Sequence, residues 1–299
     1  MDKRTMRILA LSDIHVDQAE NLAWLMQLSR DDYREDVLLL AGDISHDSTR
    51  FADALSMLRQ RFAQVFFVPG NHDLWLMRQE NGDSLAKFHY LLALCQKLGV
   101  CTKPQTLNLS GKPVTILPLF SWYMRPEEGV ESLYVPCAQE QHASHWCDNY
   151  LIRWPETLAI TPARYFLQLN EPHLAACPTG EVITFSHFLP RRELMLSSLS
   201  DEVLTRVTNG SGFNFSRVAG TMLLDQQIRR ARATRHIYGH QHRNRIRSLA
   251  GVTYLSCCLG YVAERNAQRI DLSQGAPLDV FSRSTCRQYI EESGQVNTQ

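Results

Sequence analysis

From Arg7 to Ser12 the chain runs Ile8, Leu9, Ala10, Leu11 without a polar interruption, the pattern of a strand covered on both faces. Leu22, Leu25, Met26 and Ser29 then fall at helical spacing, and Val37 to Ala41 predicts a second buried strand ending at Gly42 and Asp43. The unit repeats. Phe51, Leu55, Leu58 and Phe62 form a helical stripe behind Asp47 as candidate cap, and Val65 to Val68 is a third strand stopped by Pro69 and Gly70. Leu85, Phe88, Leu92 and Cys95 predict a further helix, and Val114 to Leu119 a further strand. Strands alternating with helices imply an α/β fold with a largely parallel sheet and helices on both sides. The C-terminal ends of such strands share one edge, where ligands usually bind.

Residues 120 to 180 break this rhythm with prolines at 126, 136, 155, 162, 172 and 178 among Trp, Tyr, His and Cys. They read as an insertion, a lid or substrate wall, in which Thr161 and Pro162 start a helix through Ala163 to Leu169. The alternation then resumes: strand Glu181 to Ser186, helix Val218 to Ala231, strand His236 to Gly239, strand Val252 to Leu259. The expected organisation is one domain over residues 1–270 carrying the insertion at about 120–180, followed by a C-terminal strand or tail over 271–299. Pro277 to Phe281 is placed to pair with a sheet edge, and the last ten residues are expected to be loosely held.

Composition narrows the partners. The chain has 299 residues, 44% hydrophobic and 21% charged, enough to bury about three quarters of its unfolded surface. Lys and Arg balance Asp and Glu at 31 each, so no global field favours a polyphosphate backbone. The cluster RRARATR at 229–235 reads, with Leu223 and Ile228, as an exposed helix face, and nucleic acid is not an expected partner. Eight cysteines without a CxxC pair make neither a disulfide framework nor a thiolate zinc site. Cys95, Cys101, Cys257 and Cys258 read as small buried hydrophobes. The N-terminal apolar run is broken by Ser12 and Asp13, short of a signal peptide or a membrane span. A cytoplasmic chain with no membrane partner is expected; its oligomeric state is left open.

The unusual polar residues fall at strand ends: Asp13 and His15, Asp43, then Asn71, His72 and Asp73, then His187, and finally His240 and His242. Parallel strands bring all of them to one edge, as a metal site requires. In extended chain, residues i and i+2 point the same way, so Asp13 with His15, and His240 with His242, are each expected to aim at one point. Carboxylate, imidazole and amide without thiolate suit manganese, iron, cobalt or zinc better than calcium. Seven such ligands exceed one ion and fit two ions sharing a carboxylate, an arrangement suited to displacement at phosphorus. Among their neighbours, Asp47 reads as a helix cap, His46 as a residue beside the ligands, and Asp17 as solvated. His89, His142, His145 and His173 read as surface or insertion residues. Trp75, Trp122 and Tyr123 are either a wall around a leaving group or packing residues, and Arg191 and Arg192 either clamp a second phosphate or face solvent.

DIH at 13–15, GD at 42–43, GNHD at 70–73, a lone His187 after a strand, and GHQH at 239–242 together resemble the calcineurin-like metallophosphoesterase superfamily. The resemblance implies a β-sandwich flanked by helices, with an inserted cap-like segment. It implies two divalent or trivalent transition-metal ions (Mn, Fe, Zn or Co), the first held by Asp13, His15 and His242, the second by Asn71, His187 and His240, with Asp43 bridging. A water between the ions would lose its proton and attack phosphorus. His72 would protonate the leaving group, Asp73 would orient its ring, and Asn71 would also touch a phosphate oxygen. The expected function is hydrolysis of a small phosphate mono- or diester. The alternatives are a non-catalytic binding module on the same fold and a Ser/Thr protein phosphatase. VPGNHD speaks against the latter, since that branch carries Arg before GNHE. A hydrolase acting at carbon on a barrel leaves Asn71 unexplained.

Overall fold

The computed structural model describes residues 5–136, 146–175, 180–195, 213–270, 272 and 276–281. Its first half comprises β1 (Ile8–Leu11), α1 (Ala19–Gln27), β2 (Val37–Ala41), α2 (Ser48–Arg59), β3 (Gln64–Val68), α3 (Ser84–Lys97), β4 (Gln105–Leu109) and β5 (Lys112–Pro118). There follow α4 (Asp148–Leu151), α5 (Pro162–Ala175), β6 (Glu181–Phe185), α6 (Met222–Arg230), β7 (Arg235–Tyr238), β8 (Arg245–Leu249), β9 (Val252–Ser256), α7 (Val262–Asn266) and β10 (Leu278–Asp279).

These strands form two sheets rather than the single sheet that periodicity predicts. One has the order β10-β1-β2-β3 and the other β4-β5-β6-β7-β9-β8. β1, β2 and β3 run parallel, as do β5, β6, β7 and β9, and the added strands β10, β4 and β8 pair antiparallel at the edges. β2 packs against β7 and β3 against β5, giving the helix-flanked sandwich. An unbroken apolar run requires cover on both faces but does not say what provides it. Alternate residues show the answer here. Ile116, Ile183, Ile237 and Leu255 join the large core shared with the first sheet, while their neighbours Leu117, Val182, Tyr238 and Tyr254 join a second cluster with Leu224 and Ile228 of α6.

Several local expectations change. β4 and β8 were not predicted: their half-exposed sequences show no buried run. They are held by the two-residue turns Ser110-Gly111 and Ala250-Gly251, whose residues all have positive φ, the hand that matches strand twist. The stripe on α1 is narrower than its spacing suggests, since Leu25 and Asn21 are buried but Met26 is 62% exposed. The helix expected over 218–231 is α6, which starts after Thr221, whose hydroxyl accepts from the Leu223 N–H. The insertion helix runs on to Ala175 with Pro172 inside it. RRARATR outlasts α6 and is not an open basic face: Arg229 pairs with Asp225, Arg230 with Glu171 and Arg235 with Glu181. Leu278 and Asp279 pair with β1, whereas the final ten residues lie outside the described residues. Among the described residues no helix is long and apolar enough to cross a membrane.

Phe66, fully buried in β3, should lose about 3–5 kcal/mol of stability as Phe66→Ala. Met26→Ala should stay within about 0.5 kcal/mol of the parent despite its place in the helical stripe. Denaturant unfolding of the two variants checks both values.

Candidate metal centre

The loops that leave β1, β2 and β7 are not extended. Asp13 has φ 51°, His15 44°, Asp43 57°, His240 70° and His242 50°, a left-handed conformation that costs non-glycine residues about 1–3 kcal/mol each and clusters at functional sites. The i, i+2 expectation is therefore corrected. Asp13 and His15 do share a target, but His240 and His242 diverge: His242 joins Asp13 and His15, while His240 joins Asp43 and His187.

Within each group, ligand atoms lie within 4.8 Å of one another. In the first, His242 Nε2 is 3.0 Å from His15 Nε2 and 3.4 Å from Asp13 Oδ1. In the second, His187 Nε2 is 3.4 Å from Asp43 Oδ2 and 3.2 Å from Asn71 Oδ1. Asp43 Oδ2 is also 4.0 Å from Nε2 of His15 and of His72, so it stands between the groups. All seven sequence-derived ligands gather here.

Three of the imidazoles, His187, His240 and His242, are each aimed by a bond from the other nitrogen. A carbonyl or carboxylate oxygen only accepts, so His187 Nδ1 donates to Ala41 O at 2.8 Å, His240 Nε2 to Val218 O at 2.9 Å, and His242 Nδ1 to Glu264 Oε2 at 2.7 Å. That leaves His187 Nε2, His240 Nδ1 and His242 Nε2 for the centre. Asn71 Nδ2 donates to Asp148 Oδ1 at 3.0 Å. The approach is close enough to require glycine: a Cβ on Gly70 would lie 2.2 Å from Asp43 Oδ1, and one on Gly239 2.8 Å from Asp13 Oδ2.

Asp73 does not orient the His72 ring. Its carboxylate accepts the N–H groups of Asp43 (2.8 Å), Ile44 (2.8 Å), Ser45 (3.1 Å) and Gly70 (2.8 Å), fastening the loop after β2 to the loop after β3. The His72 ring instead lies 3.6 Å, centroid to centroid, from Trp75. Asp17 is not simply solvated either: it accepts from Ser45 Oγ at 2.7 Å and lies 3.3 Å from His46 Nδ1. Trp122 and Tyr123 are buried packing residues that meet Phe188 and each other. Arg191 pairs with Glu193 and Asp225, so it is not a free phosphate clamp, while Arg192 donates to Ser132 O. His142 and His145 lie outside the described residues.

Three supporting residues escaped the motifs: Glu264, Asp148 and Asn21. The buried Asn21 amide donates to Ile14 O and Gly260 O and accepts from Arg265. Glu264 also accepts the Tyr261 N–H, as a residue three into α7 is placed to do. That helix-start position is the only local signal any of the three carries.

Burial alone would raise Asp13, yet the hydrogen bond and charge of His242 hold it at about 2. Asp43, equally buried, is held well below the usual carboxylate range by His187 and His72. Burial opposes protonation of His187 and His242, but Asp43 pushes the first up to about 9, and Asp13 with Glu264 push the second up to about 10. Burial brings His72 down to about 4 and, with the charge of His187, His240 to about 3. Asp73 is raised to about 7 by burial and by Asp43. Two protonated imidazoles thus balance two buried carboxylates, positive charge that a pair of cations would supply instead. The donor set of carboxylates, imidazoles and an amide is one that could hold metal ions.

A family model described as calcineurin-like phosphoesterase matches residues 6–244. A curated relative, acyl-carrier-protein phosphodiesterase PptH from Mycobacterium tuberculosis, is 34% identical over 122 residues, covering 38% of this chain and 36% of the relative. The match thus spans little more than a third of that relative's length. The crystal structure of phosphopantetheinyl hydrolase PptH from Mycobacterium tuberculosis is similar in fold, with a TM-score of 0.68 at 23% identity, over 89% of this chain and 93% of that one.

Cation binding must displace the protons on His187 and His242, because only neutral imidazole is a ligand. Below about pH 9 these groups are protonated in the metal-free protein, so Mn²⁺ should bind with proton release and more tightly as pH rises from 6.5 to 9. Calorimetric titrations in buffers of different ionisation enthalpy check this. A heat independent of buffer would contradict the charge balance drawn here.

Proposed function

Because the chain belongs to the calcineurin-like phosphoesterases, we propose that it hydrolyses a phosphodiester at a centre of two transition-metal ions sharing Asp43. One observation carries this reading: the possible ligand groups Asp13-His15-His242 and Asp43-His187-His240 form on loops from both sheets, linked by a third, His15-Asp43-His72, with Asn71 Oδ1 beside the second. Asp13, His15 and His242 with Asp43, His187, His240 and Asn71 would hold the cations, which when bound would supply positive charge against the phosphoryl oxygens and acidify water. The relative named as an acyl-carrier-protein phosphodiesterase favours the diester, and it widens the substrate class from a small phosphoester to one carried on a protein. A binding module with no chemistry would have no use for the strained loops that aim these side chains.

His72 is the residue placed to handle the leaving group. Its side chain is 15% exposed, and its backbone N–H donates to Asp43 Oδ1 at 2.9 Å. Burial keeps the ring neutral near pH 7. An anionic phosphate arriving beside it favours the imidazolium, whose proton is then available to the departing oxygen. Asp73 serves by fastening the two loops, and Asn71 by presenting its amide oxygen.

Metal-stripped protein resupplied with Mn²⁺ should hydrolyse bis(p-nitrophenyl) phosphate faster than p-nitrophenyl phosphate, and should be tested for release of phosphopantetheine from a carrier protein. Two bound Mn²⁺ per chain with no turnover of any of the three would defeat the reading. His72→Ala should keep its metal content while slowing esters with poor leaving groups about 10²-fold, and good ones much less. Asp43→Asn should deplete both ions, measured by elemental analysis. Equal slowing of all esters by His72→Ala would remove the acid role.

A further inference from the structure

Asp148 opens α4, in the segment between β5 and β6 that the motifs leave untouched. Its side chain is only 3% exposed, yet three N–H donors converge on it. Asn71 Nδ2 at 3.0 Å and Trp75 Nε1 at 2.6 Å share Oδ1, and Trp146 Nε1 at 2.9 Å takes Oδ2. Each donor belongs to a residue beside the centre. Trp75 lies tilted against His72, and the Trp146 ring meets that of His240 edge-on at 5.9 Å.

An asparagine amide has two ends of nearly equal shape, and only the oxygen ligates a cation. Turned by half a rotation, Asn71 would present an NH₂ group to the second site and repel the ion. A carboxylate cannot donate to Asn71 Oδ1, so it selects the one orientation in which Nδ2 faces Asp148 and Oδ1 faces His187. We propose that Asp148 is a positioning residue that locks the Asn71 amide with its oxygen toward the second cation, making occupancy of that site depend on the segment between β5 and β6. The inference rests on Asn71 being a ligand, as set out above.

The test is Mn²⁺ alone, titrated calorimetrically into the metal-stripped full chain, with electron paramagnetic resonance reporting the spin-coupled pair. Asp148→Ala should weaken the second binding step about 10- to 100-fold, leave the first unchanged and diminish the coupled signal. Combined with Asn71→Ala it should weaken the second step no further than Asn71→Ala does alone, because the two act through one amide. If circular dichroism shows Asp148→Ala unfolded, Asp148→Ser, too short to reach Asn71, carries the same expectations. A parental second step in the Asp148 variant, or losses that add in the double variant, would overturn the inference. A parental second step in Asn71→Ala would instead overturn the ligand assignment beneath it.

Discussion

Two carboxylates, Asp13 and Asp43, lie almost wholly out of water at the end of a sandwich, and the surrounding structure is organised by the need to neutralise them. Burial of an unpaired carboxylate is costly enough that a protein must surround it with positive charge or donors, or let it protonate. Here both stay ionised, held down by imidazoles that take up protons when no cation is present. The same concentration of negative charge that would be a liability in a core is what would attract metal ions to the site.

Meeting that demand from several loops at once explains the backbone. Five of the gathered residues sit at positive φ, and loops in that conformation persist only where other contacts over-determine them. Asp73 supplies four acceptor contacts between the loops after β2 and β3. Asn21 ties the loop after β1 to the one after β9, where Ser12 and Cys257 also join the two sheets directly. The buried ammonium of Lys87 reaches His46 O at 2.7 Å, adding a further tie beside the site. Glycine at 70 and 239 leaves room for the carboxylates that these contacts hold in place.

The motif residues do not complete the centre unaided. Glu264 on α7 aims His242, and Asp148 on α4 meets Asn71, the first from beyond the stretch matched by the family model and the second from the segment between β5 and β6. Aromatic rings close the surroundings: Tyr261 lies against His15 and His242, and Phe188 and Phe215 against His240. Such walls exclude water and strengthen electrostatic interactions inside them.

The residues that gather at this site were legible in the sequence because their chemistry is carried by residue type and strand-end position: aspartate, histidine and asparagine interrupting apolar runs at the end of successive parallel strands. The central strands were legible for the same reason. What the chain could not disclose locally was everything that depends on a partner distant in sequence. Whether the second face of β5 meets a helix or another sheet, and that Asp73 serves the amides of Asp43, Ile44 and Ser45 rather than His72, are set by contacts across tens of residues or more. Glu264 and Asp148 belong with these, since a carboxylate in a short helix carries no mark of the side chain it will meet. Residue chemistry by itself determined which groups were candidates to hold a cation; only the packing of two sheets, with the directions it imposes on each loop, decided which carboxylates and carbonyls orient them.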